Sequence, residues 1–346
     1  FGAVGDGVTD DYPAMLAAFQ AASAAGSSVY IPPVDTQNGK FYKITKPLPI
    51  YSDLTVYGDG PSSLIKNMEP SVQFGDAFCF WIGGFAKLDI MNHFNFFSGA
   101  SVTNGTDTIT LSSGVANFSV DQVVYVRSNT AAVANGEDDY NYGQFNRVVA
   151  INGNSLTLKY PIDTDIANPF VSDLDAPDIY AWASPRYVAD NITLRDVAVH
   201  SENSHWTARG AFFESLIENI QVNKTLGLVY GNGFSQSTVR NIYGSFKDRA
   251  IEIKVGSGYS VIENIRGGFL SSANSVTGEP LVSIGEHASN ITLKDAKLLC
   301  GSADFGQAIQ LQGDHHLVQN VYANCKNTIS HGVSFGASHV NSLNKN

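Results

Sequence analysis

Between residues 191 and 325 one short pattern returns six times: a β-branched run closed by Asn or Asp and followed by a second apolar run. The closing residues are Asp196, Asn219, Asn241, Asn264, Asp295 and Asn320, at intervals of 23, 22, 23, 31 and 25 residues. A near-fixed period in the twenties, with strands on both sides of a polar corner, marks a solenoid. Such a turn is too short for a strand, a full helix and their loops, but it holds three short strands and three corners. Each strand then pairs with its equivalent one turn later, about 4.8 Å away. Asn suits the corner because it tolerates left-handed backbone angles and bonds to nearby backbone. Stacked corners would let these amides bond to one another in a ladder. The Leu-x-x-Leu-x-Leu spacing of a leucine-rich repeat is absent. The expectation is an all-β chain built as a parallel β-helix, with the longest interval holding one period plus an insertion at 271–278.

Composition agrees and narrows the partners. Charged residues are 15% of the 346 against 43% hydrophobic, which suits a turn-rich β protein with a large core. A formal net charge of −11 without a Lys/Arg cluster speaks against nucleic acid as a partner. No apolar run approaches the ~20 residues of a membrane span. Phe1 is not an initiator methionine and no signal peptide follows it, so it reads as a processing or expression boundary. Three cysteines make no disulfide framework. Cys300 and Cys325 each lie five residues past a corner and are expected to stack as inward thiols, while Cys79 has no evident mate.

The chain opens on a turn-rich segment, 1–11, followed by a helical pattern from Tyr12 to Ala25 with Met15, Leu16, Phe19 and Ala22 at helical spacing. Asp10 or Asp11 serves as N-cap and Gly26 ends the helix. Short strands at 29–33 and 42–44 follow. A solenoid must close its open end with an atypical unit, and an amphipathic helix laid over the first turn does so. Residues 1–11, this helix and the Val29-Tyr30-Ile31-Pro32 run together resemble the opening of the pectate-lyase superfamily. That superfamily is found in phage tailspikes, polysaccharide lyases, some glycoside hydrolases and uronan epimerases. Asp53-Leu-Thr-Val-Tyr-Gly-Asp-Gly60 resembles its first complete turn. The resemblance implies a right-handed, single-stranded parallel β-helix and a structural role for Asp6, Asp10 and Asp11 in turns and caps.

Residues 87–92 read as a further corner, after which the period breaks. Alternating runs at 108–111, 122–126, 146–151 and 155–158, separated by Asn104-Gly105 and Asn152-Gly-Asn154, predict an inserted small β-subdomain. The division is therefore 1–96 for the cap and first turns, 97–168 for the insert and 169–346 for the main turns. Glu137-Asp138-Asp139, with Tyr140 and Tyr142, sits on the insert's longest loop, read chiefly as a solvated loop.

The resemblance places substrate along the sheet formed by 211–214, 228–231, 251–254, 282–285, 309–312 and 333–336. Alternation puts Ile251 and Ile253 inside and Glu252 and Lys254 outside. Carrying the register across turns gives one outward column of Phe212, Val229, Glu252, Ser283, Gln310 and Ser334, and a second through Glu214, Gly231 and Lys254. Asp248 and Glu279 fall at equivalent positions just before the strand on neighbouring turns. Two carboxylates about 5 Å apart raise one another's pKa, as a glycosidase acid and its partner require. Asp248 with Glu252 is the alternative pair, and a surface ion network of Asp248, Arg249, Lys254 and Glu279 is the plain structural one. Arg249, Lys254, Arg209, Glu214, Gln310, His331, Trp206 and Tyr230 are the candidate substrate contacts. Core burial weighs equally for Trp206 and Tyr230. His315-His316 has no third ligand at useful spacing and reads as corner packing, so no metal site is expected.

Asp248-Arg-Ala-Ile-Glu-Ile-Lys254 and Val282-Ser-Ile-Gly285 resemble the Asp-Asp-x-Ile-x-Ile-Lys and Gly-His-Gly-x-Ser-Ile-Gly motifs of the polygalacturonases. Arg249 replaces the second Asp, and Glu279-Pro280-Leu281 stands where the His would be. The Asp-Pro-His of the superfamily's epimerases is absent. The resemblance implies an extracellular or virion-surface enzyme acting on an extended polysaccharide, a homotrimer if it is a tailspike, with no membrane partner. Hydrolysis by paired carboxylates ranks first, without a cofactor. Lyase chemistry, with Lys254, Arg249 or His331 as base and a calcium ion as helper, ranks second. A non-catalytic glycan-binding module is the third reading.

Overall fold

The computed structural model describes residues 1–69, 78–83, 96–131, 141–163, 165–167, 169–172, 188–201, 206–225, 227–247, 250–254, 257–269, 280–285, 288–301, 307–313, 315–325, 331–335 and 343–345. These form a right-handed parallel β-helix with a helical cap and an antiparallel insert. Each turn contributes to three walls. Wall one runs through Ser28–Ile31, Thr55–Gly58 and Thr193–Arg195 to Thr292–Lys294, Leu317–Gln319 and Leu343–Lys345. Wall two runs through Tyr42–Ile44, Leu64–Asn67 and Ala198–Ser201 to Lys297–Gly301 and Tyr322–Cys325. Leu216–Thr225, Thr238–Phe246 and Val261–Phe269 pass from wall one to wall two without losing strand geometry. Wall three is a separate nine-stranded parallel sheet among the described residues, from Leu48–Ile50 and Phe78–Ile82 to Gln307–Leu311 and His331–Phe335.

The corner between walls one and two is the one the repeat predicts. Asp196, Asn219, Asn241, Asn264, Asp295 and Asn320 all take left-handed angles, φ 52–57°. The Nδ2 of Asn219, Asn241 and Asn264 donates to the Oδ1 of the residue one turn earlier at 2.8, 2.9 and 2.7 Å. Asn320 donates to Asp295 at 3.0 Å. A carboxylate accepts but cannot donate, so Asp295 has nothing to offer the Oδ1 of Asn264. That oxygen accepts from Nε of Arg266 at 3.2 Å instead.

A second column occupies the corner between walls three and one. Asp53, Asn191, Glu214, Gln236, Tyr259, Asn290 and His315 are all left-handed there, φ 48–59°. The residue after the corner closes it: Ser215, Ser237 and Ser260 accept from backbone N–H groups one turn earlier at 3.0–3.2 Å. His316 does the same, accepting from the N–H of Ile291 through Nδ1 at 3.2 Å while Nε2 meets the Gln312 carbonyl at 2.9 Å. The His315-His316 pair is thus corner packing.

The cap follows the sequence pattern. The helix spans Tyr12–Ala25, buries Met15, Phe19 and Ala22, and ends at left-handed Gly26. The Asp11 carboxylate makes no cap bond but gathers the N–H groups of Val4 and Gly5 and that of Lys43, tying the entry segment to wall two. Asp6 binds the N–H groups of Val8 and Thr9 at 2.8 Å, and Asp10 accepts from Thr45 Oγ1 at 2.6 Å.

The insert forms a six-stranded antiparallel sheet from Phe96–Ser98 to Phe170–Ser172 with its own buried cluster, including Ile109, Val124, Val126, Val148 and Leu156. Wall one passes straight across it: Thr55 pairs with Thr193 and Val56 with Leu194. The corner expected at 87–92 lies outside the described residues. Cys79 is buried, which pushes its thiol up. Cys325 pairs with Gly301 because a bulge intervenes after Leu299, so its backbone neighbour is not Cys300.

The amide ladder can be weighed by mutation. Asn241→Ala removes one donated and one accepted bond and leaves an alanine at φ 57°, a loss of about 3 kcal/mol. Asn241→Gly, free of the Cβ penalty, is expected to cost about 1 kcal/mol less. Urea midpoints at unchanged slope check the order.

Candidate functional site

Strand alternation on wall three sends Phe80, Ala208, Val229, Ile251, Val282 and Ile309 into the core. The residues after them form one outward column. Trp81 pairs with Arg209, Arg209 with Tyr230, Tyr230 with Glu252, Glu252 with Ser283, Ser283 with Gln310, and Gln310 with Ser334. Glu252, Ser283, Gln310 and Ser334 share a column as the sequence count has it. Phe212 and Val229 do not belong to it: both lie in the core, and in the backbone register Arg209 and Tyr230 stand in line with Glu252. Val229 pairs with Ile251 and with Ala208, so the expected column stands one residue out at Val229, and Phe212 lies beyond a bulge. Gly210 pairs with Gly231 but Phe212 with Phe234, so the later strand holds one extra residue. A one-residue slip sends a side chain to the opposite face.

The column is outward yet nearly closed to solvent: Glu252 is 3% exposed, Ser283 6%, Arg209 8% and Trp81 7%. Ser283 Oγ meets Gln310 Oε1 at 3.3 Å. The Arg209 guanidinium lies 4.8 Å from the centre of the Phe78 ring. Phe78, Trp81 and Trp206 form an apolar cluster separate from the main core, with Phe78 and Trp81 edge to face at 5.3 Å. Trp206 is therefore packed within this cluster at 3% exposure. Neither Trp81 nor Phe78 was singled out by sequence, although the run Phe78-Cys-Phe-Trp-Ile82 carries the signal. Lys254 pairs with Asn232 and His331 with Gln307 along the backbone. Asp248, Arg249 and Glu279, and the side chains of Tyr230, Lys254 and His331, lie outside the described residues.

Glu214 is elsewhere. It is a left-handed corner residue, φ 48°, rather than a member of the Lys254 column. Its carboxylate receives Arg147 Nη2 at 2.8 Å, the Tyr160 hydroxyl at 2.7 Å and the Lys159 ammonium. The same Arg147 Nη2 reaches Asp190 Oδ2 at 2.8 Å, and its guanidinium lies 5.6 Å from the Phe213 ring centre. Farther along the corner, Asp163 accepts from Ser289 Oγ at 3.0 Å and Asn290 Nδ2 at 3.3 Å. The insert is thereby fastened down the corner between walls three and one. Beside this junction opens a polar cavity of about 540 Å³ lined by Asp53, Asp121, Gln122, Lys159, Asn191 and Glu214 among others.

Burial pushes the Glu214 carboxyl up, but hydrogen bonds from Lys159, Tyr160 and Arg147 and the Arg147 charge outweigh it and hold Glu214 below its ordinary value. Burial and the bond to Glu214 push the Tyr160 phenol up. Held below its ordinary value, Glu214 stays ionised, which suits an anchor and not an acid that must carry a proton. Among the described residues, no three His, Cys, Asp or Glu side chains converge to hold a metal ion. Among them also, no helix is long and apolar enough to cross a membrane.

No family model matches the sequence. Two solved structures share the fold. The tailspike protein gp49 from Pseudomonas phage LKA1 is 15% identical over 92% of this chain, with a TM-score of 0.51. The Pseudomonas phage phi297 tailspike gp61 is 14% identical over 92%, with a TM-score of 0.54. This chain has the parallel β-helix of phage tailspikes. It spans 58% of the length of each of the two.

The junction gives a pH test. A carboxylate with a lowered folded pKa adds stability that is complete above its unfolded value and disappears as pH falls through the folded one. Wild type should therefore lose stability relative to Glu214→Gln as pH falls below about 4, and lie above it near neutrality. Thermal midpoints of both proteins across that range check the crossing of the two curves.

Proposed function

We propose that the chain binds and cleaves an extended polysaccharide along the outer face of wall three, outside the cell and at a virion surface. The observation that carries this reading is the column itself. This outer wall sets Arg209, Glu252 and Ser283 in a single file along successive turns. Parallel pairing repeats the file at about 4.8 Å per turn, so neighbouring polar groups meet successive polar groups of a linear polymer. The likeness to tailspikes supports the same direction through the fold.

Hydrolysis is the preferred chemistry. One carboxyl protonates the leaving oxygen and a second acts as base or nucleophile, the distance between them setting inversion or retention. Glu252 is the carboxyl that the described column supplies, and Asp248 or Glu279 is its proposed partner. Arg209, two turns from Glu252 along the same file, binds and orients the polymer. Arg209 also favours a second reading, elimination on a uronate polymer, because a guanidinium can neutralise the carboxylate beside the proton that is lost. A homotrimer is part of the proposal, as for a tailspike.

Incubation with a panel of acidic and neutral polysaccharides separates the readings. New reducing ends without the ultraviolet absorbance of an unsaturated uronate mean hydrolysis, the absorbance means elimination, and binding without either means a glycan-binding module. Glu252→Gln should lower turnover by about 100-fold or more, with Asp248→Asn or Glu279→Gln doing the same. Full activity in Glu252→Gln overturns the assignment.

A further inference from the structure

The outward side of wall two differs in charge from the rest of the molecule. Its two outward columns hold Lys43, Lys66, His200, Asn223, Ser245, Gly268, Leu299 and Asn324, and Leu64, Ala198, Gln221, Tyr243, Arg266, Lys297 and Tyr322. Among the described residues neither column contains an Asp or Glu, in a chain with 32 of them and a net charge of −11. Wall one makes the contrast: Arg195, Glu218, Arg240, Glu263 and Lys294 alternate turn by turn. They neutralise one another there, Arg240 with Glu218 at 2.7 Å and Lys294 with Glu263 at 2.6 Å. On wall two the pattern is cation beside cation.

The lower half of this wall is the most open part. Tyr243, Arg266, Lys297 and Tyr322 are consecutive in register and exposed, with the tyrosines 42% and 54% accessible. Neither cation is in an ion pair among the described residues. Arg266 uses Nε on Asn264 Oδ1 at 3.2 Å, and the Lys297 ammonium lies 5.9 Å from the centre of the Tyr322 ring. Hydrogen bonds fix the tyrosines by their hydroxyls: Asn264 Nδ2 donates to Tyr243 at 3.1 Å and Asn324 Nδ2 to Tyr322 at 3.3 Å. Their ring faces are thus held in place on a flat, rigid wall.

We infer that this stripe is a second carbohydrate site, one that binds an anionic linear glycan without cleaving it. The two cations stem from paired strands whose backbones lie about 4.8 Å apart, a spacing comparable to one hexose unit. They meet carboxylates on successive or alternate sugars, and the flanking tyrosines offer apolar ring faces to the sugar rings above and below. A neutral glycan has no use for the cations, and a cationic one is repelled by them. With no Asp or Glu among the described residues of either column, no acid within the stripe itself competes for Arg266 and Lys297. The inference is independent of the chemistry proposed for wall three, because that file faces outward from a different sheet.

The test is binding, read without turnover. Electrophoresis of the intact protein through gels containing polygalacturonate should retard it, whereas dextran should not, and added salt should weaken the retardation because exposed charges are screened. The exposed double substitution Arg266→Gln/Lys297→Gln should weaken binding about 10-fold, the scale of two exposed charge contacts, with an unchanged urea midpoint. The same weakening by Arg266→Gln/Lys297→Gln should appear in a Glu252→Gln background, where the cleavage proposed for wall three is removed. This separates failure of the wall-three reading from failure of this one. Three results overturn the inference: a double variant retarded as strongly as wild type, equal retardation in dextran, or a change of mass in sedimentation that places wall two between copies of the chain.

Discussion

Left-handed corners, repeated at each turn and bonded to the turn before, are what everything else in this molecule rests on. Each costs a non-glycine residue about 1 kcal/mol or more, and on its own would be a weak point. Stacking turns the same geometry into a register device. Between walls one and two the amides of Asn219, Asn241 and Asn264 each reach back one turn. Between walls three and one the hydroxyls of Ser215, Ser237 and Ser260 receive backbone N–H groups across the same gap. A strand displaced by one residue would break both ladders and invert its wall, so two independent sets of bonds defend one alignment.

The insert is attached by a different kind of interaction. Arg147 spans Asp190 and Glu214, which belong to successive turns, and Lys159 and Tyr160 complete the Glu214 carboxylate. Taking either partner away from such a half-buried group costs more than the pair contributes, because the remaining charge is stranded. Gly233 adds a steric condition: at φ 84° it lies under Phe145, and a Cβ there would stand 2.5 Å from that ring. The bulge that admits this glycine begins just past the Arg209–Tyr230 pair.

The parts of the molecule legible in the sequence are those where one residue type serves one geometry. Asn and Asp mark the first corner and its ladder, and the apolar spacing of Met15, Phe19 and Ala22 marks the cap. The second corner shares the same spacing but is written in Asn, Glu, Gln, Tyr and His, since position and the following serine matter there more than the side chain itself. No motif announces it. Wall three was readable as a sheet but not in register, because bulges add residues between corners without any consistent residue type. The Arg147 anchor joins residues 67 apart through side chains alone, and no local pattern encodes that. Glu214 consequently looked like a groove residue, when its partners make it a fastening.

Wall one closes across the insert as though nothing were there, so that Asn191 bonds to Asp53 from 138 residues away at 2.8 Å. Closing such an excursion in place of one ordinary turn costs only about 1.6 kcal/mol, because loop entropy grows with the logarithm of length. The coil consequently behaves as a socket. Its neighbouring rungs meet whatever is plugged between them, and the penalty hardly depends on the size of the plug. A lineage built on such a frame can exchange the module fastened at this corner while leaving the load of folding on rungs that never change.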